Sequence, residues 1–225
     1  MPERPPTEGT RVRRHPERGV YERESIDAIL DEALICHLAW VTDDGDPRVI
    51  PTIHVREGDT LYVHGSAASR TLRSLRDGRR VCIEATIIDG LVLARSTPNH
   101  SMNYRSVVVY GDPREVTDPA ERDAAQRALV EHVVPGRVAD VRKPSDSELK
   151  ETAIFAVTLD EASAKIRTGP PVDPPEDLTS PAWAGVVPVG IVYGAPRPAP
   201  DLTPGIEPPA YARHPRRPGN AGLTA

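Results

Sequence analysis

The feature that most constrains this chain is the shortness of the connections between its apolar runs. ICHLAWV (35–41), RVIPTIHV (48–55) and TLYVHG (60–65) follow one another across DDGDP (43–47) and REGD (56–59). Those connectors are rich in turn-forming residues and suit antiparallel hairpins. Parallel neighbours would need a crossover of about a dozen residues or more, usually a helix. Three further runs read as strands: RVCIEATIIDGLVLAR (80–95), SVVVYGDPREV (106–116) and AIFAVTLDEASAKIR (153–167), the last as one long strand. Six or so strands on short connections predict a mainly β protein, a small antiparallel barrel carrying a few helices.

The helices announce themselves by period and caps. Ser25 is placed to cap a helix with Ile26, Ile29, Leu30, Ala33 and Leu34 on one face and Asp27 in its first turn. SRTLRSLRDG (69–78) reads as a helix stopped by Gly78. ERDAAQRALVEHVV (121–134) is amphipathic, with Ala124, Ala128, Leu129 and Val133 predicted to face inward. A short helix is expected to start at Asp146 or Ser147.

Fourteen of the 25 prolines lie from Pro170 onward. Proline fixes φ and removes a backbone donor, so that stretch is neither an ordinary helical domain nor a central sheet. The expected organisation is a loose arm over 1–20, a folded domain over 21–195 and a disordered tail over 196–225. Within the domain, 169–195 is expected to lie over the surface, since AWAGVVPVGIVYG (182–194) is too apolar to be left in water.

Composition excludes several classes of function. A net charge of −5 gives no global basic field for nucleic acid or an anionic membrane. No apolar run approaches the roughly 20 residues of a membrane span, and the polar, proline-broken start does not read as a signal peptide. Two cysteines, Cys36 and Cys82, form neither a disulfide framework nor a metal-ligand spacing. A cytoplasmic protein is expected, with no metal site. No G-x-S-x-G elbow or H-E-x-x-H pair is present, and no catalytic residue is assigned.

Three segments are suited to ligand chemistry. HGSAASRTLRSL (64–75) leaves a strand through small residues and enters a helix; Ser66, Ser69 and Thr71 offer hydroxyls and Arg70 a cation, the chemistry that holds a phosphate monoester or equally a plain capped surface helix. In HSMNYRSVVVYGDPREV (100–116), Tyr104 and Arg105 stand where a polar loop becomes a buried strand. Arg105 therefore needs a partner, either a carboxylate such as Glu84 or Asp89 or a ligand anion. In RVIPTIHV, Pro51 cannot donate to a ladder, so the strand is expected to be interrupted or to lie at an edge. Such a break frees backbone groups for the rim of a planar ligand; a plain edge strand is the alternative.

In order and spacing, R-V-I-P-T-I-H (48–54), L-Y-V-H-G (61–65), A-S-R-T-L-R-S-L (68–75), M-N-Y-R-S-V-V-V-Y-G (102–111) and K-x-R-T-G-P-P (165–171) resemble the pyridoxamine 5′-phosphate oxidase-related family of FMN-binding split barrels. The closest likeness is to its flavin-nucleotide-binding, nitroimidazole-resistance-like branch, over about residues 20–190. The resemblance implies a six-stranded antiparallel split barrel and a homodimer with FMN at the subunit interface. It implies that Arg48, Val49, Ile50, Pro51 and Thr52 line the isoalloxazine. Arg48, Ser66, Ser69, Arg70 and Thr71 would grip the phosphate, Thr71 standing where the oxidase has a lysine, with Arg105 adding charge beside Tyr104. His64 would lie near the cofactor, or be satisfied by backbone or solvent. Trp183 would cover the flavin, or anchor the tail. Lys165 and Arg167 would line the substrate side, or form a solvated strand end. The expected function is an FMN-dependent oxidoreductase reducing a small planar acceptor, nitroaromatic or quinone-like. The alternatives are a non-catalytic flavin- or haem-binding sensor or carrier, and pyridoxamine-phosphate oxidase proper. The tail YARHPRRPGNAGLTA lacks the basic motif of that oxidase.

Overall fold

Every strand pairing among the described residues is antiparallel. The computed structural model describes residues 6–216. In chain order the elements are β1 (Gly19–Val20), α1 (Arg23–Glu32), β2 (Cys36–Val41), β3 (Pro47–Thr52), β4 (His54–Glu57), β5 (Thr60–Ser66), α2 (Arg70–Arg76), β6 (Val81–Leu93) and β7 (Ser101–Gly111). There follow β8 (Arg114–Glu115), α3 (Pro119–Val133), α4 (Asp146–Glu151), β9 (Thr152–Thr158), β10 (Glu161–Arg167), β11 (Gly185–Pro188) and α5 (Ala210–Arg213).

The strands form two sheets. One runs β1-β10-β7-β6-β2-β3, with β11 pairing β6 beside β2; the other runs β4-β5-β9-β8. The chain passes between them four times: at Ile53 between β3 and β4, through α2 between β5 and β6, at Asp112–Pro113 between β7 and β8, and at the turn Leu159–Asp160 between β9 and β10. These crossings close the sheets into a split barrel. Its core joins Leu38, Ile83, Val107 and Val109 of the first sheet to Leu61, Val63, Phe155 and Val157 of the second, with Ile26, Ile29 and Leu30 of α1 closing one end. Burying aliphatic and aromatic side chains of this size stabilises the fold by roughly 1.5–3 kcal/mol each.

Several local expectations shift. RVIPTIHV is two strands: β3 is an edge of its sheet, where Pro51 is tolerated, and the break falls at Ile53. AIFAVTLDEASAKIR is also two strands, because Leu159–Asp160 turns the chain from one sheet into the other. Ser25 lies inside α1, whose N-cap is Glu22. On α3 the buried residues are Ala125 and Leu129, while Ala124 is exposed. The short helix α4 starts at Asp146, one of the two expected positions, and is capped by Ser145 in a reciprocal box with Glu148.

The flanking segments are tied down at particular points. Within the expected arm, residues 1–5 lie outside the described residues, and Gly19–Val20 pairs with Ala164 and Lys165 of β10. In the apolar segment of the tail, β11 pairs with Leu91–Leu93 and Gly90 of β6. Residues 196–207 run exposed, after which Tyr211 of α5 donates to Asp140 at 2.6 Å; residues 217–225 lie outside the described residues.

Candidate functional site

β5 brings two of the three ligand-suited segments together. Its odd residues, Leu61 and Val63, enter the core, so Tyr62, His64 and Ser66 share the opposite face, towards α3. Tyr62 donates to Glu121 of α3 at 3.0 Å. At the far end of β5, Thr52 Oγ1 donates to the His64 carbonyl at 3.4 Å, joining the end of β3 to the start of the Ser66–Thr71 loop.

That loop is pinned from several sides. Ala67 N–H donates to the Glu151 carbonyl at 2.8 Å, and Ser69 N–H to Ser66 O at 2.9 Å. Ser69 caps α2 by accepting from Leu72 N–H at 3.2 Å, which leaves its hydroxyl proton to donate elsewhere. Ser66 is exposed and Thr71 half-buried; Arg70 opens α2, and its side chain lies outside the described residues. On β3, Val49 and Pro51 are exposed, Ile50 packs against the core, and Arg48 pairs with Asp46 at 3.0 Å. Because β3 pairs with β2 alone among the described residues, its outer edge carries backbone groups outside the ladder.

His64 points into a cavity of about 400 Å³ between α3 and the second sheet, lined also by Ile53, Gln126, Leu129, Val130, Val133 and Ile154. Its Nδ1 is buried without a hydrogen-bond partner, and so is Oε1 of Gln126. Burial holds the His64 imidazole below its usual pKa, so the ring is neutral near pH 7. Gln126 and Val130 were not singled out in the sequence, where Leu129 and Val133 were expected only as part of an inward face; the spacing of 126, 129, 130 and 133 at i, i+3, i+4 and i+7 was the available signal.

The remaining expected residues lie apart. Arg105 donates to both oxygens of Asp89 and both of Glu32, and so is a structural cation held between two carboxylates. Those pairs keep its guanidinium charged at any working pH. Asp89 was one of the two foreseen partners; Glu84 instead engages His37 at 3.2 Å, and Glu32 was missed because only the fold delivers the end of α1. Tyr104 is half-buried on β7, opposite Ile88 and Arg167. Arg167 is buried rather than solvated, donating to Asn103 and to the carbonyls of Gly169 and Pro170. Trp183 lies over Gly185 and remains 65% exposed. Among the described residues there is no cluster suited to a metal ion and no helix long and apolar enough to cross a membrane.

Residues 22–166 match the family model of pyridoxamine 5′-phosphate oxidase. The chain belongs to the pyridoxamine 5′-phosphate oxidase family. Among solved structures it is similar to the flavocytochrome Anf3 from Azotobacter vinelandii, with 36% identity, a TM-score of 0.86 and coverage of 93% of this chain and 96% of that one. It is likewise similar to an FAD- and haem-binding protein from Mycobacterium smegmatis, with 37% identity, a TM-score of 0.82 and coverage of 87% and 96%. A putative 5-nitroimidazole antibiotic resistance protein from Bacteroides thetaiotaomicron shares the fold at 23% identity and a TM-score of 0.56, over 66% of this chain and 86% of that one. No curated protein matches the sequence. The family match ends within β10, whereas the first two structures cover more of the chain than that, so this member shares part of its proline-rich tail with them.

Proposed function

We propose that this family member binds a flavin nucleotide along β3 and the Ser66–Thr71 loop and acts as an oxidoreductase on a small planar acceptor, nitroaromatic or quinone-like. One observation carries the reading. The free edge of β3 and the hydroxyl-bearing loop meet at the Thr52–His64 contact, in a chain 36–37% identical to a flavocytochrome and to an FAD- and haem-binding protein. The residues fit the group. The outer edge of β3 offers backbone donors to a ring rim, Ser66, Ser69 and Thr71 offer hydroxyls to a phosphate, and small Gly65 and Ala67 let it approach.

When bound, the flavin supplies hydride and electron transfer. The chain positions the ring against Val49–Thr52, neutralises the phosphate with loop hydroxyls and the Arg70 charge, and limits water on the barrel side. The phosphate grip is common to FMN and FAD. FMN is the flavin that the family resemblance implies, and the Mycobacterium smegmatis relative makes FAD the competing choice. Arg105 is committed to Glu32 and Asp89, which removes it from the phosphate. The site is completed by a second copy of the chain, covering the exposed outer face of β3. Two free thiols suit a cytoplasmic setting.

The test is the absorption spectrum of purified protein, with mass spectrometry of the released cofactor, followed by anaerobic reduction with NADH or NADPH and reoxidation by a quinone. A flavin spectrum with acceptor-dependent turnover is expected. Protein that neither retains nor binds FMN or FAD at micromolar concentration overturns the reading.

A further inference from the structure

On the outer face of the first sheet, three polar side chains bond to one another amid apolar ones. His37 of β2 lies opposite Pro51 of β3 on one side and opposite Glu84 of β6 on the other. Its Nδ1 meets Glu84 Oε2 at 3.2 Å, and Thr86 Oγ1 donates to the second carboxylate oxygen, Oε1. An ionised carboxylate only accepts, so His37 carries a proton on Nδ1, and Nε2 is the atom left to exchange one. Ala39, Val49, Ile88 and Val108 surround the three on the same face. An ion pair this exposed contributes at most about 1 kcal/mol to stability, and a second copy laid over the face turns its desolvation into a cost. Folding alone does not explain a polar cluster here.

We propose that His37 is the proton donor to the acceptor, with Glu84 and Thr86 as positioning residues that fix its tautomer and orientation. The inference rests on the flavin reading and narrows the acceptor to molecules that take protons together with electrons, as quinones do. A quinone becomes a hydroquinone by gaining a hydride, which reduced flavin supplies, and a proton. The hydride leaves an oxyanion; His37 Nε2–H gives it the proton, and the imidazole recovers one from water. Pro51 belongs to the segment read as lining the ring, and residues opposed in an antiparallel ladder have Cα atoms about 4.5–5.5 Å apart, so the imidazole stands beside that segment. Elsewhere in β2, β3 and residues 66–71 no side chain titrates near neutrality: the Cys36 thiol is buried and pushed up to about 12. His64 faces the α3 cavity instead. Of the residues facing His37, Val49 and Pro51 of β3 do not titrate, and β6 presents Glu84 and Cys82, whose thiol burial keeps protonated.

The experiment uses the full chain loaded with flavin, its flavin content measured for every variant. Reduced protein is mixed in stopped flow with benzoquinone, or with ferricyanide, which takes electrons without protons. In His37→Gln the ratio of the quinone rate to the ferricyanide rate is expected to fall roughly a hundredfold and to lose the pH dependence that an imidazolium donor imposes. A second readout needs no turnover. Nitrogen-15 NMR of the neutral His37 ring, before any acceptor is added, is expected to place its proton on Nδ1 in wild type and to shift it towards Nε2 in Glu84→Ala. An unchanged rate ratio in His37→Gln, or a wild-type ring protonated on Nε2, overturns the proposal and leaves the flavin reading standing. A chain that holds no flavin overturns both.

Discussion

Asn103 and Arg167, 64 residues apart in the chain, meet in the barrel wall. The guanidinium of Arg167, 8% exposed, donates to the Asn103 amide oxygen, while its other N–H groups reach the carbonyls of Gly169 and Pro170. The two residues belong to M-N-Y-R and K-x-R-T-G-P-P, strings that looked independent and ligand-directed in sequence. Physically they are one device: a buried cation that ties β7 to β10 and bends the chain into its proline-rich tail. Asn103→Ala leaves that cation without its side-chain acceptor. It should destabilise the protein by about 2–3 kcal/mol, visible as a lower Tm and as faster proteolysis after Arg167. Equal stability and equal cleavage would remove the coupling.

This pair also marks what was legible beforehand. Strand direction and the β3 edge followed from local chemistry: turn length and proline. The split of 153–167 was not legible, since Leu159–Asp160 lacks the glycine or asparagine that usually betrays a turn, and both strands are apolar enough to read through it. Of the partners of Arg105 and Arg167 only Asp89 was foreseen; Glu32 and Asn103 were not, because a long-range contact leaves no periodic trace. The His64 cavity needs α3 laid across β5, a packing choice made by Tyr62, Ala125, Ile154 and Ala156 together.

Acid should release the tail before it melts the barrel. Asp173 accepts from the Arg95 backbone N–H at 2.9 Å and from its guanidinium at 2.8 Å, and those bonds hold its carboxyl below the usual value. A depressed folded-state pKa contributes stability that is present above the unfolded value, about 3.9, and lost as pH falls through the folded one. Amide exchange in β11 should therefore accelerate below about pH 4 in wild type. Asp173→Asn should exchange fast already at neutral pH. Identical exchange profiles for the two proteins would refute the clamp.

Gly90 admits the tail strand. A Cβ at this position would stand 2.9 Å from Val186 Cγ1 and 3.2 Å from the Val187 carbonyl, against backbone that cannot yield cheaply. The register shift between Ile88 and Gly90 sits at the same spot, next to Asp89, whose carbonyl accepts from Val189 N–H at 3.1 Å. Gly90→Ala should displace β11 and expose residues 185–188 to protease, while the β6–β7 ladder stays protected from exchange. Protection of 185–188 equal to wild type would show that the strand docks without this close approach.

The outer face of β2 and β3 tests the two-copy site. Ala39 and Val49 face each other across the ladder, as do Val41 and Pro47, and Val49 is 63% exposed with Val41 at 52%. An apolar face on an edge strand invites pairing and aggregation unless something covers it. Val49→Glu introduces a charge there without touching the core, so the monomer should keep its Tm within about 0.5 kcal/mol of stability. Sedimentation is expected to show a dimer in wild type and a monomer in the variant, with flavin retention falling at the same protein concentration. A variant that stays dimeric and keeps its flavin would place the second copy elsewhere. A monomeric variant that keeps its flavin would mean one chain suffices.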